Sequence, residues 1–394
     1  MSQNHIINPS ISGDPIERAK EAFRAVQQYQ QDWKDHGVDR VHLYFDDVEG
    51  NWLDEFDSVA LETDCTKSAL SLSLPVIFEG VEKLGIPRRF LKKFVFPRWW
   101  NSRLEKDDQS LLKLIDLISE CLLLDINFSS KNNFLVAFQP IPNPKFKLQT
   151  KQNNSNLFSH LAMALANMIS LRVKNRYEPI ALDANKLREY ILQKKSFIDL
   201  DAILNFCWEH GIPVVHFEKK PNSNCSKFDG MVAVCADRPV IVIGSSYKSP
   251  ARLAFIIAHE LGHIACNHVK EGILVDTSFE KQESDIEEEE ANKFAKELLF
   301  GESPFSWSKK LEFKQLLSES RRLSIDYRVE VGSVILSYGW QTKDWKIAMS
   351  VLKKLEPNSN APATINAYFK KYIDLNNLDQ DTQDYLNRLD ILMV

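Results

Sequence analysis

At 394 residues the chain is longer than one typical globular domain, so two or three compact units are expected. Apolar residues make up 44% and charged residues 26%, ordinary globular proportions that exclude a disordered chain, a collagen-like repeat and a coiled-coil rod. The net charge of −5 gives the molecule no overall attraction for phosphate backbones or anionic lipid, so any nucleic-acid contact must be local.

In chain order, Met1 to Asp14 is polar and proline-containing, without the basic start and apolar core of a secretory signal, and reads as a loose tail. Pro15 to Trp33 carries apolar positions at helical spacing and predicts a first helix, and Val41 to Phe45 predicts a short strand closed by a turn. Helical patterns dominate from Leu74 to Asp125. Loops are expected from Gln139 to Lys145 and from Gln149 to Ser155, before a helix beginning near Leu157. Leu182 to Gly211 is helical in pattern and leads through Gly211-Ile212-Pro213 into a strand from Val214 to Phe217. Met231 to Cys235 and Val240 to Ile243 are two more strands, with Ala236 to Pro239 as a hairpin loop between them. A small antiparallel sheet is therefore expected just ahead of residue 250. Beyond Gly301 the chain is again mostly helical, with a break at Pro357 to Pro362. No stretch approaches the length of a membrane span. The six cysteines (Cys65, Cys121, Cys207, Cys225, Cys235 and Cys266) include no CxxC pair, which predicts reduced thiols and a cytoplasmic protein.

The chemistry concentrates after Ser249-Pro250, a capping serine followed by a proline suited to the first helical position. From Leu253 to Ile264 the helix predicted there is almost wholly apolar, yet it holds His259, Glu260 and His263. Buried ionisable groups need partners. Two histidines four apart share one helical face and can ligate one cation, with Glu260 beside them to take a proton from a water on the metal, the HExxH arrangement of zinc peptidases. A catalytic zinc generally has three protein ligands, and the third is sought in the acidic helix from Glu287 to Leu299. Projected back from the apolar face of Ala291, Phe294, Ala295, Leu298 and Leu299, Glu287 and Glu288 fall inward, whereas Glu289 and Glu290 point to solvent. Asn292, one turn beyond Glu288, is placed to support a ligand by hydrogen bonding.

Ala258-His-Glu-Leu-Gly-His263 followed by Glu288-x-Glu290-Ala-Asn-x-Phe-Ala-x-x-Leu-Leu299 resembles the ImmA/IrrE family of metallopeptidases, over about residues 185 to 300. The resemblance implies His259, His263 and Glu288 as Zn2+ ligands and Glu260 as general base. It also implies regulatory proteolysis in a bacterial stress, phage or mobile-element response, with a repressor-type protein as substrate. The expected fold is α+β and predominantly helical. Its zincin-like core (155–301) carries a small antiparallel sheet beside the HExxH helix. A tail (1–14), an N-terminal α/β regulatory or sensing region (15–150) and a C-terminal helical region (302–394) flank that core. Long family members often begin with a helix-turn-helix, which the first hundred residues here do not display, and Phe300-Gly301 stands where the family often has Met-Pro.

His268, projected along the same helix, falls nearly opposite His259, away from the chemistry, and Tyr247 is a candidate oxyanion donor. Strand Val240 to Ile243 is a candidate edge for an extended substrate. Arg88, Arg89, Lys92, Lys93 and Arg98 interleave with aromatics, a pattern that fits a solvated outer face over inward-packed rings, with nucleic-acid or anion contact as the alternative. The competing function is a DNA-binding regulator, or a toxin–antitoxin or phage-defence interaction protein, whose metal site is structural or vestigial.

Overall fold

The computed structural model describes residues 73–392 apart from 130–132, 143, 147–156, 181–182, 224, 226, 277–284 and 303–304. The expected tail, first helix and first strand, and Cys65, lie outside the described residues.

Helix α1 (Leu74–Lys83) starts with a proline in its first turn. It is followed by the turn Arg88–Phe90, which continues into a π-helical turn, Leu91–Val95. Helix α2 (Asp108–Leu122) is capped by the Asp107 side chain and ended by Leu123 in the left-handed region. The hairpin β1 (Leu124–Ser129) and β2 (Asn133–Phe138) forms a sheet of its own. Then come β3 (Lys145–Phe146), α3 (Leu157–Ser170), α4 (Ala184–Lys194), α5 (Leu200–Glu209), β4 (Val214–His216), β5 (Gly230–Cys235) and β6 (Arg238–Ile243). The remaining elements are α6 (Pro250–Ala265), β7 (Gly272–Asp276), α7 (Ile286–Phe300), α8 (Phe313–Asp326), α9 (Val331–Thr342), α10 (Trp345–Leu355), α11 (Ala361–Tyr372) and α12 (Gln380–Arg388). The architecture is α+β and predominantly helical, as the sequence predicts.

The central sheet has the order β3-β7-β5-β6-β4. Its middle is antiparallel, β7 with β5 and β5 with β6, and its two outer pairs, β3 with β7 and β4 with β6, are parallel. The β5–β6 turn is tighter than the sequence reading, because Cys235 pairs with Arg238 and only Ala236 and Asp237 remain as loop. Both have positive φ, 49° and 62°, as a hairpin turn matching the strand twist requires. A second correction concerns β6, which is paired on both sides and offers no edge to a substrate. Its continuous apolar run is that of an internal strand, covered on both faces.

Those faces are covered by helices. Met231, Ala233, Val240 and Val242 join a core with α1, α2, α3, α11 and α12, while Ile241 and Ile243 join a second core with α4 to α7. Period-two alternation sends successive residues of one strand into two cores. Helix α3 is buried along almost its whole length, consistent with an apolar sequence all round. A third, smaller core unites α8, α9 and α10 with Ala251 at the start of α6. Helix α6 thus lies among the sheet, α7 and α9.

Candidate metal centre

The Ser249 hydroxyl accepts a hydrogen bond from the Arg252 N–H at 3.4 Å and Pro250 opens the first turn, so α6 begins where the sequence places it. Three turns later His259, Glu260 and His263 are each wholly buried. His259 Nε2 and His263 Nε2 lie 3.0 Å apart. The Glu288 carboxylate of α7 closes the triangle, with Oε2 at 3.3 Å from His259 Nε2 and Oε1 at 3.3 Å from His263 Nε2. Ligand bonds of about 2.0–2.1 Å in a tetrahedral site separate ligand atoms by about 3.3 Å. The three donors therefore stand at the spacing of one face of such a site, and two imidazoles with one carboxylate are the donor set a catalytic zinc takes.

Two close approaches make this triangle. A Cβ on Gly262 would come within 2.9 Å of Ala291 Cα and 3.0 Å of the Ala291 carbonyl oxygen. The small residues Gly262 and Ala291 therefore let α6 and α7 touch, which brings Glu288 within reach of the histidines. At the other flank, a Cβ on Gly230 would meet Glu260 Oε1 at 1.9 Å, so the first residue of β5 must be glycine for the Glu260 carboxylate to lie where it does.

Between Glu287 and Glu288 the structure discriminates. Glu288 is 2% exposed, and Glu287 instead accepts a hydrogen bond from Lys145 Nζ at 2.7 Å. The same Lys145 donates to the His268 carbonyl at 2.8 Å, so β3 ties the loop after α6 to the first turn of α7. Helix α7 is capped at its start by Asp285 and stopped by Gly301, whose φ of 84° favours glycine. Buried Arg188 of α4 donates to the carbonyls of Leu298 and Leu299 at 2.9 and 2.6 Å, and also to that of Tyr327, satisfying groups that the helix end leaves open.

His268 departs from its projected position. Helix α6 ends at Ala265, Asn267 takes φ of 59°, and the chain turns back, with the His268 N–H donating to the His263 carbonyl at 2.9 Å. His268 Nδ1 thereby lies 2.8 Å from His263 Nδ1, and its Nε2 lies 2.9 Å from Glu290 Oε2. The projection assumed a helix one turn too long. It also left Glu290 to solvent, whereas that side chain, although exposed, contacts His268.

A cavity of about 500 Å3 is lined by α6, α7 and α9; none of His259, Glu260, His263 and Glu288 is on its wall. Ile256 lies one turn before Glu260, Asn292 one turn after Glu288, and Asp229 precedes Gly230; all three line it. Tyr247 is also on its wall, under the Arg252 guanidinium at 3.6 Å. The basic stretch lies elsewhere, packed with α12. Arg88, Arg89, Lys92, Lys93 and Arg98 are exposed and Phe90, Phe94 and Phe96 buried, with Arg88 paired to Glu82 and Arg98 to Asp384.

Residues 207–335 match the model of a peptidase family described as the IrrE N-terminal-like domain. The matched span runs from α5 through α6 and α7 into α9 and so includes the elements that carry the triangle and most of those that wall the cavity. No curated protein matches the chain.

Proposed function

The chain belongs to the ImmA/IrrE family of peptidases through residues 207–335, and from that premise we propose that it is a zinc-dependent endopeptidase acting on one regulatory protein. The observation that carries the proposal is the convergence of His259, His263 and Glu288 in a wholly buried triangle with Glu260 beside it. Bound zinc supplies Lewis acidity, lowering the pKa of water and polarising a peptide carbonyl.

The protein's own groups do the rest. His259 and His263 present Nε2 and Glu288 its two oxygens. With Nε2 committed, neutral His263 carries its proton on Nδ1 and donates to His268 Nδ1, and His268 Nε2–H donates to Glu290. This chain fixes the His263 ring and its tautomer. Glu260 accepts the proton of the attacking water and returns it to the departing amine, and Gly230 sets its carboxylate. Water exclusion by the buried surroundings strengthens each of these interactions. The cavity walled by α9 accepts a substrate side chain, which restricts the enzyme to few sequences. A repressor-type regulator cut during a stress, phage or mobile-element response is the substrate class that the family premise favours, in the cytoplasm.

The test is a comparison of protein termini in cells carrying the wild type and Glu260→Gln. One protein acquiring a new terminus only with the wild type, and binding intact to Glu260→Gln, is the expected result. Identical termini in both, with zinc bound to the wild type, would contradict an endopeptidase.

A further inference from the structure

Outside the triangle, a second group of metal-ligating side chains lies at the turn that follows α6. Cys266 Sγ, a ring nitrogen of His268 and a carboxylate oxygen of Glu290 all lie within 4.8 Å of one another. Cys266 and Glu290 are exposed, while His268 is only 8% exposed. The exposed pair gives an ion a direct path from solvent, and the buried imidazole gives the group a fixed anchor. Asn267 in the left-handed region, together with the His268 N–H bond to the His263 carbonyl, holds Cys266 and His268 on one side of the turn. Lys145 pins the His268 carbonyl. A thiolate, an imidazole and a carboxylate form a mixed donor set that suits Zn2+ or Co2+ and does not suit the all-oxygen preference of Mg2+ or Ca2+.

We propose that Cys266, His268 and Glu290 form an outer Zn2+ site, distinct from the triangle and antagonistic to it. The outer site stands on its own three side chains; the antagonism rests on the reading of the triangle as a zinc centre. Occupying the outer site releases the Cys266 proton to solvent and takes the lone pair of His268 Nε2, so the ring proton of neutral His268 moves to Nδ1. That atom lies 2.8 Å from His263 Nδ1, which also carries a proton whenever His263 Nε2 ligates. Two N–H groups cannot face each other at that distance. Filling the outer site therefore removes the acceptor that orients His263, and losing such a partner weakens metal binding by about 10–100-fold. Linkage makes the effect reciprocal, so emptying the triangle strengthens the outer site by the same factor. The device makes the peptidase sensitive to excess zinc.

Cobalt reports the two sites separately, because only the outer one contains sulfur. Metal-free full-length protein titrated with Co2+ is expected to show a sulfur-to-cobalt charge-transfer band in wild type, absent in Cys266→Ser and His268→Ala. The band is expected to saturate at least tenfold lower Co2+ in His259→Ala, which empties the triangle and leaves His263 in place. Absence of the band in wild type, or its persistence in Cys266→Ser, would overturn the outer site. Equal affinity in wild type and His259→Ala, while Cys266→Ser still takes up cobalt, would overturn the antagonism. If Cys266→Ser takes up no cobalt at all while wild type shows the band, the zinc reading of the triangle fails and the outer site stands.

Discussion

At the scale of single residues, the centre depends on where side chains are absent as much as on where they are present. His259, Glu260 and His263 are legible because their spacing is a local property of a helix, and Glu288 nearly so because an apolar face orients the residues before it. Gly230 is not legible in the same way, since its contact with Glu260 is made across the fold. It yields a sharp expectation. Gly230→Ala places a methyl where Glu260 Oε1 lies, so the carboxylate must move while the ligand triangle stays. Activity should fall about 100-fold or more, the scale associated with a misplaced catalytic group, with zinc content unchanged. Parallel measurement of kcat/KM and bound zinc checks this, and undiminished activity would show that the Glu260 position is not held from β5.

At the scale of elements, the helical stretches from residue 74 onward and strands β4, β5 and β6 are legible in periodicity and caps, with α4 and α5 merged into one helical stretch, whereas β1, β2, β3 and β7 are not read from the sequence. The end of α6 was missed, because nothing local announces that Asn267 will turn the chain back, and with it the His263–His268 contact. Lys145, read as part of a loop, reaches α7 from 142 residues away in sequence, a pairing that no local pattern encodes. The start of α6 is also bound to α9 and α10. A Cβ on Gly332 would meet Ala251 Cβ at 2.7 Å and Glu356 Oε1 at 2.6 Å, and Glu356 hydrogen-bonds Ser249, the cap of α6. Burial, reinforced by the negative charges of Glu356 and Asp199, pushes the Glu330 carboxyl up to about 8. Its folded-state value is thus above the unfolded 4.5, so the folded protein holds more protons between those values. Stability from this group is full below pH 4.5 and is lost as pH rises toward 8. Glu330→Gln removes that titration, and its melting temperature should decline less than that of wild type from pH 5 to 8. Parallel curves for the two proteins would contradict the assignment.

At the scale of the whole molecule, the order of the helical stretches and of β4, β5 and β6 is readable, but sheet order is not. A continuous apolar run such as Val240 to Ile243 suits an edge strand or an internal one, and only its pairing with both β4 and β5 decides. The contribution of α9 to the cavity was likewise invisible, since it brings residues from beyond 330 to the wall facing α6 and α7. If that cavity holds a substrate side chain, Ser337→Trp, a half-buried wall position, should raise KM at least tenfold and leave zinc content intact. An unchanged KM would move substrate recognition to another surface.

The centre is defined by whether His259, His263 and Glu288 hold one metal ion. The most direct measurement is elemental mass spectrometry on purified Cys266→Ser, which lacks the sulfur of the outer site, beside the same protein carrying His263→Ala or Glu288→Ala. Near-stoichiometric zinc in the first, with large losses in both others, is the predicted result. Zinc retained after Glu288→Ala, or a first protein that is metal-free and cannot be reloaded, would contradict the centre described here.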